Sequence, residues 1–125
     1  MLLDTSAWVE YFKGTTIGNE VKELVKSDKT LFANPLTITE LAQWADKYDQ
    51  DKIKILGFLY KRSKILELSY EILENAGLEY NKLRKIKEKI GMIDVIIYTS
   101  ASIHSLILLT KDSDFESLKG VRLLI

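Results

Sequence analysis

Gly91-Met92-Ile93-Asp94-Val95-Ile96-Ile97-Tyr98-Thr99-Ser100-Ala101-Ser102-Ile103-His104 runs directly into Ser105-Leu106-Ile107-Leu108-Leu109-Thr110-Lys111-Asp112-Ser113-Asp114-Phe115. The first segment reads as a helix with one carboxylate, Asp94, in its first turn. The second reads as an apolar strand from Leu106 to Leu109 that ends at Thr110, with Asp112 and Asp114 just beyond it. Ligand sites in open α/β sheets form outside the carboxyl ends of the strands, so this unit marks one sheet edge as the working surface. What the remaining segments deliver to that edge decides the reading.

Leu2-Leu3 is a very short strand ending at Asp4, and Thr5 or Ser6 can cap a helix from Ala7 to Lys13 that Gly14 stops. A helical spacing over Ile17 to Val25 precedes a strand at Thr30-Leu31-Phe32-Ala33 and a break at Asn34-Pro35. Thr37 is expected to open a helix to about Tyr48, with Glu40 in its first turn. Asp51 to Lys61 is expected to form a helix that turns Ile53, Leu56, Leu59 and Tyr60 inward. Ile65 to Leu68 follows as a short strand. The longest helical stretch, or a pair of helices, spans Tyr70 to about Lys89, and a helical turn near Phe115 to Lys119 leads to a last strand, Val121 to Leu124. Strands alternating with helices imply a parallel sheet covered on both faces.

Residues 1–125 suffice for one domain with its own core. Zero Cys among 125 residues removes disulfides, thiolate zinc sites and cysteine nucleophiles together. A metal must therefore be held by oxygen ligands or by the single His, His104. The apolar runs are far too short to span a membrane, and Met1-Leu2-Leu3-Asp4 lacks the features of a signal peptide, so a cytoplasmic protein without membrane contact is expected. Eighteen basic and eighteen acidic side chains cancel, so any polyanion must be met by a local patch.

Asp4, Glu40, Asp94 and Asp112 each fall at a strand end or in a first turn. Singly, each has an ordinary structural role. Thr37 with Glu40 and Ser113 with Glu116 fit capping boxes, Asp94 complements a helix dipole, and Asp112 and Asp114 are turn formers. Together they are harder to explain, because two carboxylates about 4 Å apart repel by roughly 4 kcal/mol at an effective dielectric near 20. A divalent cation removes that repulsion. Mg²⁺ or Mn²⁺ takes carboxylate and water oxygens, clamps a phosphodiester and activates water, while Thr5, Ser6 and Thr110 can supply hydroxyls that hold the carboxylates.

The order Leu3-Asp4-Thr5-Ser6, Thr39-Glu40-Leu41-Ala42, Gly91-Met92-Ile93-Asp94-Val95-Ile96 and Leu108-Leu109-Thr110-Lys111-Asp112-Ser113-Asp114-Phe115 resembles that of the PIN-domain ribonucleases, and within them the small VapC-type toxins. The resemblance implies a Rossmann-like three-layer α/β/α sandwich with a short, mainly parallel sheet. It also implies an endoribonuclease that uses Mg²⁺ or Mn²⁺ and acts as a homodimer beside a small antitoxin protein. By position, Asp4, Glu40, Asp94 and Asp112 resemble the family's acidic quartet, with Asp114 as an auxiliary acid. Asp4 and Asp94 would hold the principal metal, and Glu40 and Asp112 would orient water or hold a second ion. The small residues usual after the third acid are partly replaced by Val95-Ile96-Ile97-Tyr98.

Lys82, Arg84, Lys85, Lys87 and Lys89 form a basic run before Asp94, either a solvated helix face or a phosphate-binding strip for RNA. His104 reads as a helix-end residue. The aromatics Trp8, Tyr11, Phe12, Trp44, Tyr48, Phe58 and Tyr60 read mostly as core, and any left exposed would suit a partner. Phosphatases of the haloacid-dehalogenase type need a second Asp where Ser6 stands, and receiver domains need an Asp that the strand Ile65 to Leu68 lacks. The remaining alternative is a non-catalytic metal- or partner-binding module.

Overall fold

The computed structural model describes residues 1–125. Its five strands are β1 (Leu2–Leu3), β2 (Leu31–Ala33), β3 (Ser63–Ile65), β4 (Leu108–Thr110) and β5 (Val121–Leu123), all parallel in the order β3-β2-β1-β4-β5. Six helices connect them: α1 (Thr5–Lys13), α2 (Asn19–Lys26), α3 (Pro35–Lys47), α4 (Lys52–Arg62), α5 (Tyr70–Arg84) and α6 (Met92–Ile103), with a single 3-10 turn at Ser113–Phe115.

Alternation along the strands builds the layers. Leu3 and Leu109 point to one face and pack with Ala7, Trp8, Val21, Leu41 and Leu59 from α1 to α4. Leu2 and Leu108 point to the other and pack with Ala76, Leu83, Val95 and Ile97 from α5 and α6. All four leucines are fully buried, which stabilises the fold by roughly 2 kcal/mol each. The three-layer α/β/α sandwich expected from the sequence is therefore present. Val95 and Ile97, bulkier than the small residues usual there, are fully buried and seat α6 on the sheet.

The chain leaves β1 toward β2 and β3, then returns to place β4 on the opposite side of β1. This reversal of strand order falls at the carboxyl ends of β1 and β4, the usual ligand position in such sheets. Asp4 follows β1 directly, and Lys111 and Asp112 follow β4.

Several boundaries differ from expectation. α3 starts at Pro35, because Asn34 Oδ1 accepts the Leu36 N–H at 2.9 Å and Pro35 takes the position where a missing N–H costs nothing. Glu40 therefore lies in the second turn, and Thr37 is a buried helical residue rather than a cap. β3 comes two residues early: Leu31, Phe32 and Ala33 pair with Ser63, Lys64 and Ile65. α4 buries Ile55 and Leu59, while Ile53 is 81% and Tyr60 51% exposed. α5 is one helix that stops at Arg84, after which Lys85 to Ile90 forms turns closed by Lys87 N–H to Leu83 O at 2.7 Å. The 3-10 turn is capped by Asp112, whose Oδ1 accepts the Asp114 N–H at 2.9 Å, so Ser113 does not cap it.

Candidate metal centre and active site

Asp4 is 5% exposed, and both of its side-chain hydrogen bonds fall on one oxygen. Ser6 Oγ donates to Oδ2 at 2.8 Å, and Thr110 Oγ1 donates to the same atom at 2.8 Å. Each hydroxyl is itself fixed by a backbone donor: Lys111 N–H reaches Ser6 Oγ at 3.0 Å, and Asp112 N–H reaches Thr110 Oγ1 at 3.0 Å. Two relays from backbone N–H through hydroxyl to carboxylate thus lock Asp4 between α1 and β4. Its other oxygen has no side-chain partner. Burial pushes the Asp4 carboxyl above its ordinary value, the Thr110 and Ser6 hydroxyls oppose that rise, and Asp112 adds to it.

Glu40, on α3 after β2, is held by a hydroxyl from the start of α1. Thr5 Oγ1 donates to Glu40 Oε1 at 2.6 Å and lies 3.0 Å from Thr37 Oγ1. Burial raises the Glu40 carboxyl, the Thr5 hydroxyl pulls it down, and the Asp4 charge raises it further. Between these two acids, Asn34 Nδ2 donates to Ser100 Oγ at 2.8 Å, and Ser100 Oγ donates to Ile96 O at 2.8 Å. Asn34 and Ser100 are fully buried, and their bond ties the end of β2 to α6.

Asp94 occupies the first turn of α6, where the Gly91 N–H donates to its Oδ2 at 3.2 Å. Its carboxyl is pushed up to about 6, first by burial, against the Gly91 hydrogen bond, and then by Asp112, Asp4 and Glu40 in that order. Carboxylate oxygens of Asp94, Asp112 and Asp114 lie within 4.8 Å of one another. Asp114, which the sequence offers as an auxiliary acid, is thus part of the tightest group. Asp4 and Glu40 stand beside this trio, close enough to raise the Asp94 carboxyl.

The donor set is all oxygen, and a hard cation with oxygen preference is the chemistry it fits. Neither His nor Cys is near it. His104 caps the far end of α6, an exposed position roughly 15 Å along the helix from Asp94, and takes no part in the pocket. Lys82, Lys85, Lys87 and Lys89 lie on the last turn of α5 and in the turns leading to α6, on the solvent side. Arg84 stacks on the Tyr80 ring, 5.4 Å from its centroid, and donates to Tyr80 Oη at 2.9 Å, which spreads an exposed flat cation next to the basic run.

One pair has no counterpart in the sequence reading. Glu10 on α1 is 3% exposed, and its Oε1 accepts from Lys111 Nζ at 2.7 Å while its Oε2 accepts from Thr15 Oγ1 at 2.8 Å. The Lys111 ammonium, helped by the Thr15 hydroxyl, holds the Glu10 carboxyl below its usual range against the opposing pull of burial. The available signal was spacing: Ser6 and Glu10 are four apart on one helix face, and both reach the residue between Thr110 and Asp112.

A family model described as the PIN domain matches residues 1–121. No curated protein matches the chain. A toxin–antitoxin complex from Klebsiella pneumoniae has a TM-score of 0.77 at 25% identity, covering 99% of this chain and 97% of that one. VapBC2 from Rickettsia felis, solved with a DNA fragment from its promoter, gives 0.74 at 21% identity over 98% and 95%. VapC20 from Mycobacterium tuberculosis, described as a sarcin-ricin loop cleaving toxin, gives 0.72 at 11% identity over 94% of both chains. At the two lower identities the likeness is one of fold.

Proposed function

The chain belongs to the PIN-domain family, and on that footing we propose that it is a metal-dependent endoribonuclease, the toxin half of a VapBC-type toxin–antitoxin pair. The observation that carries the proposal is the convergence of Asp4, Glu40, Asp94, Asp112 and Asp114 at one switch point, with the Asp94 carboxyl raised to about 6 by burial first and then by the neighbouring carboxylates. Charge crowded to that degree favours a cation. Asp94, Asp112 and Asp114, with the Asp4 oxygen that no side chain engages, would hold Mg²⁺ or Mn²⁺. Such an ion supplies Lewis-acid stabilisation of the charge that develops at a phosphodiester and lowers the pKa of water.

The chain's own groups do the positioning. Glu40 Oε1 is held by Thr5, and its Oε2 is left to accept a proton from attacking water, a task helped by its raised carboxyl. Attack in line on phosphorus forms a new P–O bond and breaks the bond to the 3′-oxygen, which leaves as the 3′-hydroxyl while the 5′-phosphate stays on the other fragment. Lys82, Lys85, Lys87 and Lys89 would hold flanking phosphates, contributing affinity and salt dependence but little sequence readout.

Partner binding falls to a different face. Tyr48, Ile53 and Tyr60 leave apolar surface exposed on α3 and α4, suited to a second copy or to an apolar antitoxin helix. No helix is long and apolar enough to cross a membrane. Action on RNA would place the protein in the cytoplasm.

The test is cleavage of labelled single-stranded RNA with Mn²⁺, with Mg²⁺ and with chelator, alongside Asp4→Asn and Asp94→Asn variants. Cutting that needs metal and is lost in both variants is expected. Cutting that survives both substitutions would remove the proposal.

A further inference from the structure

We propose that Glu10 and Lys111 are positioning residues for the metal-binding carboxylates, holding the Thr110 to Asp114 turn in the geometry that binds a divalent cation; this rests on the metal-dependent reading above. Lys111 is gripped twice by α1. Its N–H donates to Ser6 Oγ at 3.0 Å and its ammonium donates to Glu10 Oε1 at 2.7 Å, so one turn of helix fixes both its main chain and its side chain. The residue so fixed is flanked by Thr110, which holds Asp4, and by Asp112, which caps the turn that carries Asp114.

Glu10 is itself braced from behind. Thr15 Oγ1 donates to its Oε2 at 2.8 Å and accepts the Gly18 N–H at 3.0 Å. A Cβ built on Gly18 would come within 2.3 Å of the Glu10 carbonyl oxygen, so only glycine lets the start of α2 close this tightly on α1. The whole corner between the two helices is therefore shaped around one buried carboxylate. Only Glu10 is buried while Lys111 is half exposed, and an ion pair open to solvent on one side adds little net stability, so stability alone does not account for it. Its place does, because it grips the residue between Thr110, which holds Asp4, and the acid Asp112. Removing partners that orient metal ligands typically costs 10–100-fold in metal affinity.

The experiment is titration of the full chain with Mn²⁺, with the free ion followed by electron paramagnetic resonance, for the wild type, Lys111→Met, Lys111→Arg and Glu10→Gln. Loss of grip and change of local field predict opposite patterns. Lys111→Met removes a positive charge near the acids and Glu10→Gln removes a negative one, so a pure field effect would tighten binding in the first and weaken it in the second. Positioning predicts roughly tenfold weaker binding in both, with Lys111→Arg within about twofold of wild type.

Mn²⁺ affinity that is unchanged or tighter in folded Lys111→Met overturns the inference, even where that variant melts at lower temperature without metal. The Lys111 side chain is 45% exposed, so this variant carries the test if Glu10→Gln does not fold. A wild type that takes up no Mn²⁺ overturns the metal-dependent reading, and this inference with it. Uptake by the wild type that both substitutions leave alone overturns only the role given to the pair.

Discussion

Replacing Asp94 by Asn should make the metal-free protein more stable at pH 8, although it removes a group from the candidate site. The Asp94 carboxyl is raised from 3.8 to about 6 by burial and by Asp112, Asp4 and Glu40. The folded state therefore holds this proton more firmly than the unfolded chain does. The stability so gained is complete below pH 3.8 and is lost as the pH rises to about 6. Two units correspond to about 3 kcal/mol, which solvent at the mouth of the pocket screens to about 1.5 kcal/mol. Asn ionises at no pH, and its carbonyl can still accept the Gly91 N–H. With an unfolding entropy of about 0.26 kcal/mol per degree for 125 residues, Asp94→Asn should melt about 6 °C above wild type at pH 8 in chelator. The two curves should meet below about pH 4. Thermal melts by circular dichroism across this range measure the gap directly, and saturating Mn²⁺ should reverse the order. A variant no more stable than wild type at pH 8, or a gap indifferent to pH, would refute the view that crowded charge at Asp94 is a stored cost that a cation relieves.

Mg²⁺ or Mn²⁺ at a hundred times its dissociation constant should add about 2.7 kcal/mol of stability to the wild type, about 10 °C on the same scale, and much less to Asp112→Asn. Thr110→Val removes the donor to Asp4 Oδ2 and the acceptor of the Asp112 N–H, and should cost about 2 kcal/mol in urea denaturation together with most of the metal affinity. Changing Lys82, Lys85 and Lys89 together to Ala should weaken single-stranded RNA binding without altering metal uptake. The salt dependence of that binding should flatten by about 0.7 for each phosphate the variant no longer neutralises, as read from fluorescence anisotropy at several salt concentrations.

Much of the sheet and all five acids were legible because strand-end carboxylates and helical periodicity are local signals. Asp4 after Leu2-Leu3, Asp94 at the third helical position and Asp112 after Thr110 sit where the sequence places them. Glu40 was displaced by one turn because two cap signals overlap, and Asn34-Pro35, with a side-chain acceptor and a preset φ, prevails over Thr37. β3 was misplaced because the run Ile65-Leu66 looks more strand-like than Ser63-Lys64, yet pairing at a sheet edge is set by the neighbour's register. The spacing turns Ile53 and Tyr60 inward, but α4 is rotated so that it buries Ile55 and Leu59 instead.

The hydroxyl relays were half visible. Thr5, Ser6 and Thr110 could be named, but the bonds from Thr5 to Glu40 and from Thr110 to Asp4 span 35 and 106 positions. No local pattern reports such a pairing. The Glu10 to Lys111 ion pair, spanning 101 positions, was out of reach for the same reason, since a lysine after a strand is ordinarily a solvated one.

The central strand has a kinetic consequence. Leu2 and Leu3 pair with Leu108 and Leu109, so the side of β1 that faces β4 cannot zip until that distant segment has been made. Such high contact order slows folding, because the loop entropy is lost before the pairing rewards it. It also means that Asp4 stays without Thr110, Asp112 and Asp114 until that distant pairing forms. A chain cut anywhere between β1 and β4 therefore lacks the assembled acid cluster, and the capacity to hold a cation there arrives only when those two strands pair.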